Sequence, residues 1–262
     1  MRDSFSYADY RALIEALTRT HIPVRFVDLR DGVPPNPFVI LRHDVDYSPR
    51  AALRMAALES AAGWHSTYFL LPNGPYYNLL DPRHAALPRH LVELGHEVGL
   101  HYDVRFLDAF PRRDWDELLD AQARLLETLS GQPITSIAMH QPGLNGEDPF
   151  ALRMDRLNAY HPRFVRETTY ISDSCRAWRD AAWRILSEGP VPAHLQLCLH
   201  PVNWSDSDRS RAEIFAAVQR DLVESIERGH ADLMEKVAAH AAVREHTARA
   251  ERLEEALRDP AR

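Results

Sequence analysis

Apolar positions along the chain recur at two periods. Tyr10, Leu13, Ile14 and Leu17 fall at i, i+3/i+4 spacing and predict a helix over 7–20. The same spacing predicts helices over 49–62, 115–129 and 209–228, the second with Ser48 before Pro49 as a ready N-cap. Apolar runs of strand length stand between them, at 24–27, 38–41, 66–71, 97–100, 136–139, 168–171 and 195–199. Alternating strands and helices imply right-handed crossovers and a mostly parallel sheet, an α/β fold. Past Gly229, residues 231–258 are rich in Ala, Glu and Arg and lack Gly and Pro. This stretch reads as a long helix, packed outside the main domain or used for self-association, with an exposed tail as the alternative. The expected division is therefore 1–229 and 230–262. The Pro-rich loops 31–37 and 73–88 are expected to be lids or connectors.

The polar positions are informative where the strands stop. Residues 38–41 run into Arg42-His43-Asp44-Val45-Asp46, 97–100 into His101-Tyr102-Asp103, and 136–139 into His140. Residues 168–171 run into Ser172-Asp173, and 195–199 into His200. In parallel α/β barrels the active site is assembled at the carboxyl ends of several strands. Strand alternation puts Asp44 and Asp46 on one face and His43, Val45 on the other. His43 then reads as structural, whereas His101 stands at a strand end. Arg42 and Glu97 both point inward and are expected to pair, because an unpaired buried charge is expensive. Asp with neutral His is a donor set that suits Zn²⁺ or a similar divalent ion with one position open to water. A second carboxylate can take a proton from that water, and a facing histidine can protonate a leaving amine. These groups describe metal-assisted hydrolysis. The competing reading makes Asp44 and Asp46 caps for the following helix, although Ser48 suffices there.

Composition narrows the partners. The chain has 262 residues, 45% hydrophobic and 26% charged, within the range of ordinary globular domains. Its net charge of −7 argues against nucleic-acid binding. No apolar stretch is long enough to span a membrane. The N-terminal MRDSFSYADYRALIEAL has charges and no apolar core of a secretory signal. Two cysteines, Cys175 and Cys198, are too few for a disulfide framework, so a cytoplasmic setting is expected. Only Lys236 among the basic residues is lysine; this arginine bias has no functional weight.

The runs LRHDVDYS, STYFLL with Tyr77-Asn78, GHEVGLHYD, YISDS and LCLHPVNW resemble the polysaccharide deacetylase (NodB-homology) superfamily, and within it an intracellular "RHDVD" branch. The resemblance covers roughly Tyr7 to Trp204. It implies a distorted seven-stranded (β/α) barrel, here with an added long C-terminal helix, and a divalent metal used to hydrolyse N-acetyl groups. By position it makes Asp44 the base, Asp46 the metal carboxylate, His101 the first metal histidine and His200 the general acid. The family's second metal histidine would lie four residues after His101, where this chain has Arg105. His140 is inferred to replace it, with Asp103 as the alternative. The family's third motif also makes a backbone N–H near Gly143 a candidate oxyanion donor. Asp173 either anchors a turn with Ser174 or orients His200. Trp204 either packs in the core or lines the pocket. Expected partners are a sugar or small metabolite bearing an N-acyl group, and a second copy bound through the C-terminal helix. The expected activity is removal of that acyl group with metal-bound water as nucleophile. Competing readings are a non-catalytic carbohydrate-binding or regulatory protein on the same scaffold, and a metal-dependent sugar isomerase or aldolase.

Overall fold

The strands are β1 (Ile22–Val24), β2 (Phe38–Val45), β3 (Thr67–Leu70), β4 (Glu97–Tyr102), β5 (Ser136–Met139), β6 (Leu157–Asn158), β7 (Thr169–Ser172) and β8 (His194–Leu199). They come from a computed structural model that describes residues 4–146, 155–178 and 190–258. Every pairing is parallel. Seven strands form one path in the order β6-β5-β4-β3-β2-β8-β7, and β1 adds to β2. The sheet is a curled half-barrel, as the sequence predicts. Six of the seven expected strands are present; the one expected at 24–27 lies earlier, at Ile22–Val24, because the chain turns at Val27–Leu29, and the short β6 is additional. The expected strand at 38–41 instead continues through Val45, because its polar tail is buried on both faces and keeps its ladder bonds.

The helices are α1 (Tyr7–Thr18), α2 (Pro49–Ala61), α3 (Leu87–Glu93), α4 (Val104–Leu107), α5 (Trp115–Ser130), α6 (Pro142–Asn145), α7 (Pro162–Val165) and α8 (Arg211–Arg258). Ser48 caps α2 by accepting from Ala51 N at 3.2 Å, with Pro49 in the first turn. α5 ends at Gly131, whose φ of 75° is the left-handed conformation that glycine adopts without strain. The chain divides into two compact units, Met1–Ile214 and Phe215–Arg262. The helices expected on either side of Gly229 are one uninterrupted helix, α8.

Strand alternation sorts the first unit into layers. One face of the sheet sends Tyr68, Leu70, Val98, Leu100, Ile137 and Met139 against apolar stripes of α2, α3 and α5. The neighbouring part packs Val39, Leu41, Leu195, Leu197 and Leu199 against α1. The inner face is filled at its base by Phe26, Phe38, Ile40, Phe69, Ala138 and Phe164. Truncating one of the fully buried leucines, such as Leu119 or Leu197, to alanine should cost about 2–5 kcal/mol. Gly99 marks where this interior is tightest. A Cβ there would come within 2.5 Å of the Phe69 ring and 2.8 Å of Ser136 Oγ.

Candidate metal centre and catalytic site

Parallel register brings the polar strand ends level. Val45 pairs with Leu70, His43 with Leu199, and His101 with Ala138. Asp44, Asp46, His101 and His140 are thereby gathered, buried, at the carboxyl end of the sheet, with His200 beside them. The placement follows from a parallel sheet: every strand ends on the same side, so five separate segments meet there.

Asp46, His101 and His140 form a triangle of ligand atoms. Asp46 Oδ1 is 3.2 Å from His101 Nε2 and 3.2 Å from His140 Nδ1, and the two ring nitrogens are 3.2 Å apart. A tetrahedral ion with bonds of about 2.0–2.1 Å separates its ligands by about 3.3 Å. The residues therefore fit a divalent cation. His101 Nδ1 lies 2.9 Å from the Ala138 carbonyl, to which it can only donate. Nε2 is then left with its lone pair toward the triangle, the usual tautomer of a ligating histidine. Burial alone would favour neutral Asp46, yet the two histidines beside it bring its carboxyl far below the ordinary range. A second set, Asp44, Cys198 and His200, is also close enough to hold a cation. It is a poorer candidate, since Asp44 already faces a guanidinium and burial pushes the Cys198 thiol up.

That guanidinium corrects one expectation. Arg42 does not pair with Glu97; its Nε and Nη2 each donate at 2.7 Å to one oxygen of Asp44. The two residues are two apart on one strand and share a face, so the fork closes on its neighbour before reaching another strand. Tyr160 completes the clamp, accepting from Arg42 Nη2 at 2.8 Å with its ring 4.5 Å from the guanidinium carbon. Glu97 is served by hydroxyls and one amide instead: Thr67, Ser136 and Thr135 at 2.7, 2.7 and 2.9 Å, and Val27 N at 3.0 Å. Burial raises the Glu97 pKa, against the pull of these hydroxyl and amide donors. Burial opposes ionisation of Asp44 too, but Arg42 and then His101 bring its pKa below the usual value.

His200 is organised by Asp173. Asp173 Oδ1 accepts from His200 Nδ1 at 2.7 Å and from the His200 backbone N–H at 2.9 Å. Its Oδ2 accepts from Trp204 Nε1 at 3.0 Å, and its carbonyl from Asn203 Nδ2 at 3.0 Å. Nε2 of His200 is left facing the centre, 3.9 Å from Asp46 Oδ2. Burial would lower the His200 pKa, but the Asp173 bond outweighs it and raises the value to about 9. The imidazole is therefore a proton donor at neutral pH.

The remaining expected residues fall outside this group. Tyr77 is buried and donates to the Val45 carbonyl at 2.6 Å while accepting from Leu71 N at 3.0 Å, so it ties β2 to β3 below the site. Asn78 is exposed and accepts from Leu80 N at 2.9 Å. Gly143 lies in α6, exposed, with open space around its Cα. Trp204 is buried against Phe5 and Tyr10, where its indole N–H holds Asp173. Asp103 caps α4 and is held by Arg105 Nη2 at 2.7 Å, so it stands outside the ligand triangle. Sequence reasoning missed the clamp on Asp44 by Arg42 and Tyr160, and Asn203 on Asp173. The i, i+2 spacing of Arg42 and Asp44 was the available signal for the first.

No family model matches the chain, and no curated protein matches it. Among solved structures the chain is similar to a CE4 family pseudoenzyme from Bacillus anthracis, with 15% identity and a TM-score of 0.43 over 74% of this chain and 63% of that one. The chain thus spans less than two thirds of that protein's crystallised length. A family 4 carbohydrate esterase from Streptomyces lividans gives 17% identity and a TM-score of 0.43 over 74% and 90% of the two chains. The peptidoglycan deacetylase PdaC from Bacillus subtilis gives 16% and 0.39 over 75% and 99%. Solved structures that this chain is similar to are thus CE4 proteins and a peptidoglycan deacetylase, at low identity and modest structural overlap.

Proposed function

We propose that this protein is a metal-dependent hydrolase that removes an acyl group, foremost acetyl, from an amine on a sugar intermediate or small metabolite. The observation that carries this reading is the triangle of Asp46, His101 and His140 at 3.2 Å spacing, flanked by Asp44 and His200. Zn²⁺ suits one carboxylate and two imidazoles best. When bound, such an ion supplies Lewis-acid polarisation of the acyl carbonyl and a more acidic water. Asp44, kept ionised by Arg42, accepts the proton that the attacking water loses. His200, kept protonated by Asp173, delivers a proton from Nε2 to the nitrogen as the C–N bond breaks. Water oxygen ends in the carboxylate product and the amine leaves neutral or protonated. The opposed environments of Asp44 and His200 support these roles as base and acid, a division of labour set by neighbours rather than by residue type. The motif resemblance to NodB-homology deacetylases supports the same reaction class.

Bound metal measured by elemental mass spectrometry on the wild type, Asp46→Ala and His140→Ala tests the reading, alongside acetate release from a panel of N-acetyl sugars. Near-stoichiometric divalent metal is expected in the wild type and its loss in both variants. A wild type that stays empty after zinc addition would sink the mechanism. Loss in Asp46→Ala alone would remove His140 from the ligand set.

A further inference from the structure

Position 105 does work other than holding metal. The motif resemblance expects a second metal histidine four residues after His101; this chain has Arg105 there, and His140 stands in the ligand triangle instead. Arg105 lies just past the carboxyl end of β4, in the short α4, and its side chain is 58% exposed. Tyr47, the residue after Asp46, sets its half-buried ring edge-on to that of Tyr76, with centroids 4.7 Å apart. Arg105 interacts electrostatically with both tyrosines, and its partner Asp103 with His140. The rim of the site therefore carries a guanidinium and two aromatic rings beside the candidate metal ligands.

The pairing with Asp103 does not exhaust that guanidinium. Asp103 occupies one side of the head: Nε lies 3.1 Å from both carboxylate oxygens, and Nη2 lies 2.7 Å from Oδ2. The carboxylate is itself fixed, since Oδ1 also accepts from the Arg105 backbone N–H at 2.9 Å. A guanidinium has five N–H donors in a rigid plane. Its end edge, formed by Nη1 and the second hydrogen of Nη2, has no acceptor among the described residues. Two parallel donors on one edge match the oxygens of a carboxylate or a phosphate. Because Asp103 already holds the head, little side-chain freedom remains to be lost when that edge binds. We propose that Arg105 is a specificity residue that receives an anionic group, carboxylate or phosphate, on a substrate bordered by Tyr47 and Tyr76. This rests on the hydrolase reading above and narrows its substrate to an N-acyl compound with a negative charge close to the amide.

The full chain with zinc added tests this against four probes: N-acetylglucosamine, its 1-phosphate, its 6-phosphate, and N-acetylmuramic acid, which carries a carboxylate. Acetate release gives kcat and KM, and calorimetry gives each dissociation constant. At least one anionic probe should exceed the neutral sugar in kcat/KM and in affinity by about tenfold or more, the scale of charge-assisted hydrogen bonds. Which probe does so identifies the anion. Arg105→Gln should bring that ratio close to one, through KM rather than kcat, whereas a merely structural role would weaken neutral and anionic probes alike. Arg105→Lys keeps the charge without the planar edge and should retain part of the ratio. No binding of any anionic probe, equal affinity for neutral and anionic probes, or a preference that Arg105→Gln leaves in place overturns the proposal. A protein that releases acetate from no probe, yet binds an anionic one through Arg105, overturns the hydrolase reading and keeps the anion site.

Discussion

Strand β2 separates two buried charged clusters that use the same residue types to opposite ends. On the helix side His43 Nε2 lies 2.7 Å from Glu59, which also accepts from Tyr68 at 3.1 Å and from Tyr10 and Ser66. His96 closes that cluster, with its ring nitrogens 3.0 Å from Ser66 Oγ and 3.0 Å from the Ala56 carbonyl. Here a carboxylate is surrounded by donors. On the inner side Asp46 meets the ring nitrogens of His101 and His140, and the His101 lone pair faces inward. There three potential ligand atoms crowd together, an arrangement that a cation would relieve. A buried His–carboxylate pair therefore does not by itself mark a site. What distinguishes a structural cluster from a metal centre is whether donors or lone pairs converge.

That contrast can be broken in order of expected effect. Removing a ligand comes first. His101→Ala should abolish stoichiometric metal and reduce acetate release at least about a thousandfold, whereas His96→Ala, at the equally buried histidine across the sheet, should leave metal content intact and lower the melting temperature. Retained metal in His101→Ala would erase the distinction. Next, Arg42→Met leaves Asp44 buried without its partner and should cost about 3–5 kcal/mol in denaturant unfolding. A smaller loss would mean that water or Tyr160 relieves the charge.

Two further effects depend on pH. Burial disfavours the Glu59 carboxylate, but His43 pulls its pKa from 4.5 to about 2. A depressed carboxylate stabilises the fold above its unfolded pKa, and that contribution disappears as pH falls from about 4.5 through about 2. Glu59→Gln should be less stable at neutral pH and show a flatter stability profile across that window; an unchanged slope would refute the assignment. For His200 the sign reverses. Its raised pKa stabilises fully below about 6.5, and the contribution is lost as pH rises through about 9. The alkaline limb of activity should follow the same value, and Asp173→Asn should move that limb toward lower pH. The smallest effect is expected at exposed Asn78, where Asn78→Ala should shift stability by no more than about 0.5 kcal/mol and leave the KM for an N-acetyl substrate unchanged. A raised KM would place that loop against the substrate.

Much of this was legible in the residues because it rests on periodicity. Alternation along β2 put Asp44 and Asp46 on one face and His43 on the other, and the structure keeps that division. The parallel sheet followed from strand–helix alternation, and its curl from the motif resemblance. Pairing across strands was less legible. Arg42 was matched to Glu97 because both point inward, but strand order alone does not say how far a long guanidinium must reach. It found Asp44 at closer range, and Glu97 drew on Thr67, Thr135 and Ser136 from β3 and the start of β5. The role of Trp204 was likewise left open between packing and pocket, because an indole ring and its N–H serve different neighbours at once.

By itself the chain's sequence determined the α/β class, the strands that end in Asp and His, and the face each of those side chains takes. These are local properties, carried by spacing along one segment. Only the tertiary structure decided that the three ligand atoms stand 3.2 Å apart, that Arg42 clamps Asp44, and that Asp173 serves His200. Each of these depends on sheet register and on competition among neighbours from distant segments, and short-range patterning holds no record of either.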